Sequence, residues 1–330
     1  MKPRSKPVTA KPSPDQVFLV MTGFLCNNNC LMCSVKPKGL DYKPRDTREI
    51  TADIAGGRRA GYERIEFTGG EPALRRDLLL LVVCAAKLGY KEIAVSTNAR
   101  AFNSPEFLKS LADRGLNRIT TTLYSSGAGT HDRITRVPGS FGQTVKGIKN
   151  SLAMGITTSV NTVLFSLTAG GLKKTASFIS SLGAEYWTLL DLIPDGFASG
   201  EYARLALKPA ELKEAFRSIS PVLERFQSVN IFDFPFCLVP EELFRKRNCN
   251  ILAAKGRTEI INQIGYRPDR FKRKDGLYCD IHKTRSEKCG ICRYNSECGG
   301  LWTPYRNLYG DSFLKPFGAR LAEKRRINRG

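Results

Sequence analysis

Residues 16–33 read QVFLVMTGFLCNNNCLMC, an apolar run that leads straight into three cysteines within eight residues. The first seven, QVFLVMT, have the length and apolar character of a strand. The loop after it carries Cys26, Cys30 and Cys33. A short irregular loop with this spacing can wrap around one corner of a cubane, its thiolates ligating three irons. No fourth cysteine stands nearby, so one iron is left for an exogenous ligand, as in metal sites that do chemistry. A three-cysteine zinc loop or part of a ferredoxin-type site is the alternative. Zinc favours paired CxxC knuckles, which CxxxCxxC does not supply.

The same grammar, a strand followed by an unusual loop, repeats outward from this stretch. Strands are expected at 16–22, 63–67, 91–96, 117–124, 157–164 and 185–192, with helices near 46–60, 73–88, 104–114, 141–154 and 169–182. Pro105 suits a first helical turn, Asn103 or Ser104 a cap, and Gly115 a stop. Six β-α units in series call for an α/β fold with a parallel sheet, open or curled into a barrel. Gly69–Pro72, Ser96–Asn98, Thr122–Ser126 and Asn161 also follow or end expected strands. The C-terminal strand ends form the active face of such folds, so five loops converge there. Beyond Pro194 the alternation is expected to stop, with a helix at 208–226 interrupted by Pro221 and a short strand at 229–234.

CxxxCxxC after the first strand, with Gly69-Gly70-Glu71-Pro72 after the second, resembles the radical S-adenosylmethionine (SAM) superfamily over residues 16–192. The resemblance implies a partial (β/α)6 TIM-like barrel and a [4Fe–4S] cluster whose open iron binds SAM. It also implies an external one-electron donor, flavodoxin- or ferredoxin-like. Reductive cleavage of SAM would then yield a 5′-deoxyadenosyl radical that takes hydrogen from a substrate. By the same resemblance Gly69, Gly70, Glu71 and Pro72 lie along SAM, the glycines letting backbone approach the ligand. Ser96, Asn98, Thr122 and Asn161 match further polar SAM contacts. Met32 replaces the usual aromatic beside adenine, and Tyr124 stands where many members carry an acid.

Cys289, Cys292 and Cys298 form C-x2-C-x5-C without a histidine. A zinc knuckle is one reading. Beside a radical SAM core the spacing resembles the SPASM and Twitch extensions, which carry auxiliary [4Fe–4S] clusters. Trp302 stands where the SPASM pattern has a further cysteine, so a single second cluster is expected. Its fourth ligand is open between Cys237, Cys249, Cys279 and substrate. Cys237 is favoured because it follows a predicted strand near the barrel mouth. Cys84, in an apolar helix, reads as an inert core residue. His131 reads as a loop hydrogen-bonding residue, with proton transfer the alternative.

The expected organisation is a basic arm (1–15), a core barrel (16–228), an auxiliary-cluster extension with a basic insert (229–312) and a basic tail (313–330). Ten cysteines in 330 residues, without an apolar export signal, point to thiols kept reduced in a cytoplasmic protein, and no run is apolar enough for a membrane. Two histidines leave little room for a His-rich metal site. The net charge of +21 is uneven: residues 1–14 carry +4, 244–288 carry +8 and 313–330 carry +5. Such segments can bind an acidic polypeptide or nucleic acid, or simply face water. A peptide or protein side chain is the favoured substrate. The rivals are a nucleotide-like small molecule or RNA and, from another class, an iron–sulfur electron carrier or a zinc-dependent RNA-binding protein.

Overall fold

A computed structural model describes residues 12–35, 45–253 and 283–318. Most of the basic arm, insert and tail, and Cys279, lie outside the described residues. Eight strands form one sheet in sequence order: β1 (Val17–Met21), β2 (Arg64–Thr68), β3 (Glu92–Thr97), β4 (Arg118–Thr122), β5 (Thr157–Leu164), β6 (Tyr186–Asp191), β7 (Ser228–Phe232) and β8 (Cys249–Leu252). Every neighbouring pair is parallel. Among the described residues β1 and β8 each pair on one side only, so the barrel is partial, as expected. The alternation does not stop at Pro194, however. The helix Pro209–Ile219 and the strands β7 and β8 continue it, so the sheet reaches into the segment expected as extension. β8 has only four residues, CNIL, too few to show a period.

Helices start where the sequence provides caps. In α1 (Thr47–Arg59) the Asp46 carboxylate accepts from the Glu49 amide at 2.7 Å, and Glu49 accepts from the Asp46 amide at 3.2 Å. In α3 (Pro105–Ala112) Ser104 is the cap and Pro105 follows it. Between them α2 is Leu78–Lys87. A helix not expected from sequence, α4 (Ala128–Thr135), follows β4 and places His131 on a helix rather than a loop. It ends at Arg136 in left-handed geometry (φ 56°), and α5 (Ser140–Ala153) follows.

The sheet's two faces differ. Ile65, Phe67, Ile93, Val95, Ile119, Trp187, Leu189, Val229 and Ile231 are buried in the cores that the helices cover. The alternate residues, among them Glu66, Ser96, Thr120, Thr122, Asn161, Thr188 and Asn230, are polar. Parallel strands are usually apolar on both faces. A polar concave face therefore marks the side where ligands belong. No described helix is long and apolar enough to cross a membrane.

Candidate functional site

The loop after β1 and the turn after β2 are joined backbone to backbone. The Gly70 amide donates to the Gly23 carbonyl (2.8 Å) and the Glu71 amide to the Leu25 carbonyl (2.7 Å). Gly69 has φ +128°, and a Cβ there would lie 2.3 Å from the Gly23 oxygen. At Gly70 it would lie 2.2 Å from the Leu25 oxygen. The close approach these glycines permit is thus to the cysteine loop, where sequence reasoning put it at the ligand. Glu71 is buried, and its carboxylate accepts from Thr97 Oγ1 (2.6 Å), the Asn98 amide (2.6 Å) and the Ala73 amide (3.0 Å). Its side chain ties the turn, begun by Pro72, to the end of β3.

The cysteine loop is held from several sides. The Asn29 and Leu31 amides donate to the Thr135 and Ile134 carbonyls of α4, both at 2.9 Å. Arg100 Nη1 donates to the Asn27 carbonyl (2.7 Å) and Asn28 Oδ1 (2.8 Å). Asn98 Nδ2 donates to Asn27 Oδ1 (2.7 Å) and lies 3.9 Å from Cys26 Sγ. The Phe197 amide donates to the Cys33 carbonyl (3.0 Å). Cys26, Cys30 and Cys33 are partly buried and unoxidised. Burial, then the neighbouring Cys33 and Cys26, push the Cys30 thiol up to about 12, although a hydrogen bond from Tyr124 acts the other way. Ionising three thiols this close together in a half-buried loop calls for positive charge among them, as bound metal supplies. Among the described residues no three His, Cys, Asp or Glu side chains gather tightly enough for a single metal ion. A cubane spreads its thiolates over separate irons, so this donor set fits a cluster better than one zinc.

The remaining expected SAM contacts divide. Thr122 and Asn161 are register partners on the concave face, both partly exposed. Ser96 and Thr120 share the polar face with Glu66, whose carboxyl is raised by burial. Met32 is 7% exposed and belongs to the core cluster that holds Leu123 and Tyr124. His131 is buried, its Nδ1 accepts from the Tyr124 amide (3.3 Å), and burial lowers it to about 4. It is a neutral structural group.

A second thiol group forms at the other side of the strand ends. Cys237 follows β7 in the turn Phe236–Leu238. Burial, then Cys298, Cys289 and Cys292, push its thiol up to about 12, which places the four together. Cys298 Sγ accepts from the Gly300 (3.4 Å) and Phe236 (3.5 Å) amides. Cys249 lies in β8, shifted by burial and Lys246 and by no other thiol.

Near the ends of β6 and β7 stand residues that the sequence reading did not name as part of a site. Lys283 Nζ donates to Asp233 Oδ1 (2.7 Å) and sits 4.5 Å over the Trp302 ring. Trp302 Nε1 donates to Asp191 Oδ2 (3.0 Å). Burial pushes the Asp191 carboxyl up to about 7 despite the pull of Lys283. Deeper in the barrel, Glu92 pairs with Arg64 (2.8 Å) and Arg118 (3.7 Å). Period-two reading of β2–β4 would have flagged Arg64, Glu66, Glu92 and Arg118, since ionisable residues on a buried strand need a polar face.

The family model described as the radical SAM superfamily matches residues 20–179. A probable GTP 3′,8-cyclase from Saccharolobus islandicus is 27% identical over 201 residues, 59% of this chain and 63% of that protein. One from Sulfurisphaera tokodaii is 26% identical over 209 residues, covering 63% of each. The chain thus matches less than two thirds of these relatives' length. Among solved structures, Streptococcus suis SuiB bound to precursor peptide SuiA superposes with a TM-score of 0.63 at 14% identity, over 91% of this chain and 75% of that one. Native anSMEcpe with bound AdoMet and Cp18Cys peptide gives 0.59 at 15% identity, over 91% and 92%.

Proposed function

From the premise that this chain belongs, through residues 20–179, to the radical SAM superfamily, we propose that it is an enzyme acting on a peptide or protein side chain. Cys26, Cys30 and Cys33 would hold a [4Fe–4S] cluster, with the Gly69–Pro72 turn, Asn98, Thr122 and Asn161 beside the SAM position. When bound, the cluster and SAM supply a 5′-deoxyadenosyl radical after one-electron reduction by an external donor. The chain's own residues do the positioning. The loop clamped by Arg100 and α4 fixes the thiols, and the polar concave face receives the reacting groups. The observation that carries the reading is that Cys26, Cys30 and Cys33 share the loop after β1, with no fourth thiol beside Cys30 among the described residues.

Cys237, Cys289, Cys292 and Cys298 would complete the coordination of a second cluster. A fully thiolate-bound cluster leaves no iron for substrate, which suits electron transfer. Anaerobic reconstitution should give about eight irons per chain for two cubanes and about four if the second group binds zinc. 5′-Deoxyadenosine formation with dithionite tests the class. None from a fully loaded protein, or iron content unchanged in a C26A/C30A/C33A variant, would overturn it.

The peptide reading is supported by solved structures of like fold, Streptococcus suis SuiB bound to precursor peptide SuiA and anSMEcpe with bound AdoMet and Cp18Cys peptide. The second reading, a nucleotide substrate, is favoured by the relatives named as GTP 3′,8-cyclases. Substrate-dependent 5′-deoxyadenosine release with GTP, and none with candidate peptides, would decide for it.

A further inference from the structure

Four aromatic rings stand together beside the second thiol group. Phe236 precedes Cys237, and its ring meets those of Tyr294 and Phe244 edge-on, at 5.6 and 5.8 Å. Phe244 stacks on Tyr294 at 5.3 Å, and Phe317 stands edge-on to both, at 5.2 and 5.1 Å. Backbone contacts place these rings at the thiols. The Phe236 amide donates to Cys298 Sγ (3.5 Å), and the Tyr294 carbonyl accepts from the Cys298 amide (2.8 Å). Phe317 comes from further along the chain, on a stretch that the cysteine loop holds at two points. Lys288, just before Cys289, donates from Nζ to the Asp311 and Ser312 carbonyls, both at 3.1 Å. The Arg293 amide, just after Cys292, donates to the Phe317 carbonyl (3.4 Å). The Arg293 guanidinium lies 4.7 Å over the Tyr294 ring and 5.3 Å over that of Phe317. Phe236 is buried, the other three rings are half-buried and Arg293 is exposed.

We propose that residues 311–317 seat Phe317 against Phe244 and Tyr294 to complete an aromatic wall, which keeps water from the second cluster and holds its potential low. The inference rests on the reading that Cys237, Cys289, Cys292 and Cys298 bind that cluster. Reduction adds one electron, and so one negative charge, to a unit already negative through its four thiolates. Water stabilises the more charged form, so a cluster that water cannot approach is harder to reduce. Rings suit the task because each covers a large area with few rotatable bonds. The Tyr294 hydroxyl accepts from Arg293 Nη2 (3.1 Å), which turns the polar end of that ring towards the exposed guanidinium. Phe317 acts through the surroundings of the cluster and is a positioning residue, not a catalytic one.

The test is a redox titration of reconstituted full-length protein, wild type against F317A and F317L, followed by electron paramagnetic resonance. The signal of the second cluster is identified as the one that SAM leaves unchanged. In F317A its midpoint should become less negative while that of the first cluster stays in place. Air should also bleach it several-fold faster than in wild type. F317L, which puts an apolar side chain back, should recover most of both changes. A second-cluster midpoint and bleaching rate in F317A equal to wild type overturn the inference. Should F317A fail to hold its second cluster, wild-type protein alone decides. After transfer to deuterium oxide without SAM, deuterium spin-echo modulation should be shallower at the second cluster than at the first, whose open iron meets solvent. Modulation as deep at the second cluster overturns the proposal. If instead metal analysis finds zinc, and no SAM-insensitive signal depends on Cys237, Cys289, Cys292 and Cys298, the underlying cluster assignment has failed, which is a different result.

Discussion

A methyl group at Gly70 would overlap the Leu25 carbonyl oxygen, and backbone on both sides has nowhere to move. G70A should therefore cost about 1–3 kcal/mol or more. Because the strain falls on the cysteine loop, iron loading of the first cluster should drop while that of the second stays. Equal loss from both would mean that the glycine serves only global stability. His131 gives a pH signature. Its folded pKa, about 4, lies below the ordinary 6.5, so the unfolded chain binds the extra proton. Its contribution is complete above pH 6.5 and is lost as pH falls towards 4, by about 3 kcal/mol at most. Chemical denaturation of wild type and H131L across that range should show the wild type losing stability relative to the variant. Parallel curves would contradict a neutral buried histidine.

At the scale of elements, the turn after β7 and the strand β8 compete to supply the fourth thiol of the second group. Cys237 lies with Cys289, Cys292 and Cys298, whereas Cys249 is buried within β8. C237A should lower the iron or alter the spectrum of the second cluster, and C249A should leave both as they are. The reverse pattern would refute the assignment. The helix α4 explains a miss: in AGTHDRIT the threonines and glycine weaken helix propensity. What forms it is tertiary, with Ile134 buried in the core and Asp132 accepting from the Gly139 and Phe141 amides at 2.7 and 2.8 Å.

Over the whole molecule, the C-terminal segment is part of the barrel's second core. Leu301, Trp302, Tyr305 and Leu314 share one cluster with β6 and β7 residues. Lys283 and Asp233, with side chains 12% and 4% exposed, form the polar tie across this contact. K283M would leave Asp233 without its ammonium and should cost about 3–5 kcal/mol. Urea midpoints should show the loss, and D233N/K283M should recover part of it. A K283M midpoint equal to wild type would mean the pair is not buried in solution. The net charge of +21 is a statement about partners and solubility rather than about fold.

The sequence by itself determined the strand–loop grammar, the active end of the sheet and both sets of thiols, because these depend on period, spacing and turn residues close together in the chain. The first strand running into Cys26, and Cys289 to Cys298 within ten positions, are local patterns. Tertiary structure alone decided what individual atoms bond. It set the Glu71 carboxylate against Thr97 and Asn98, and sank Met32 into the core. It also placed the Cys237 turn against Cys298 and buried Cys249 in β8. Each of these depends on segments tens of residues apart meeting at a few ångströms, and no local pattern encodes that distance.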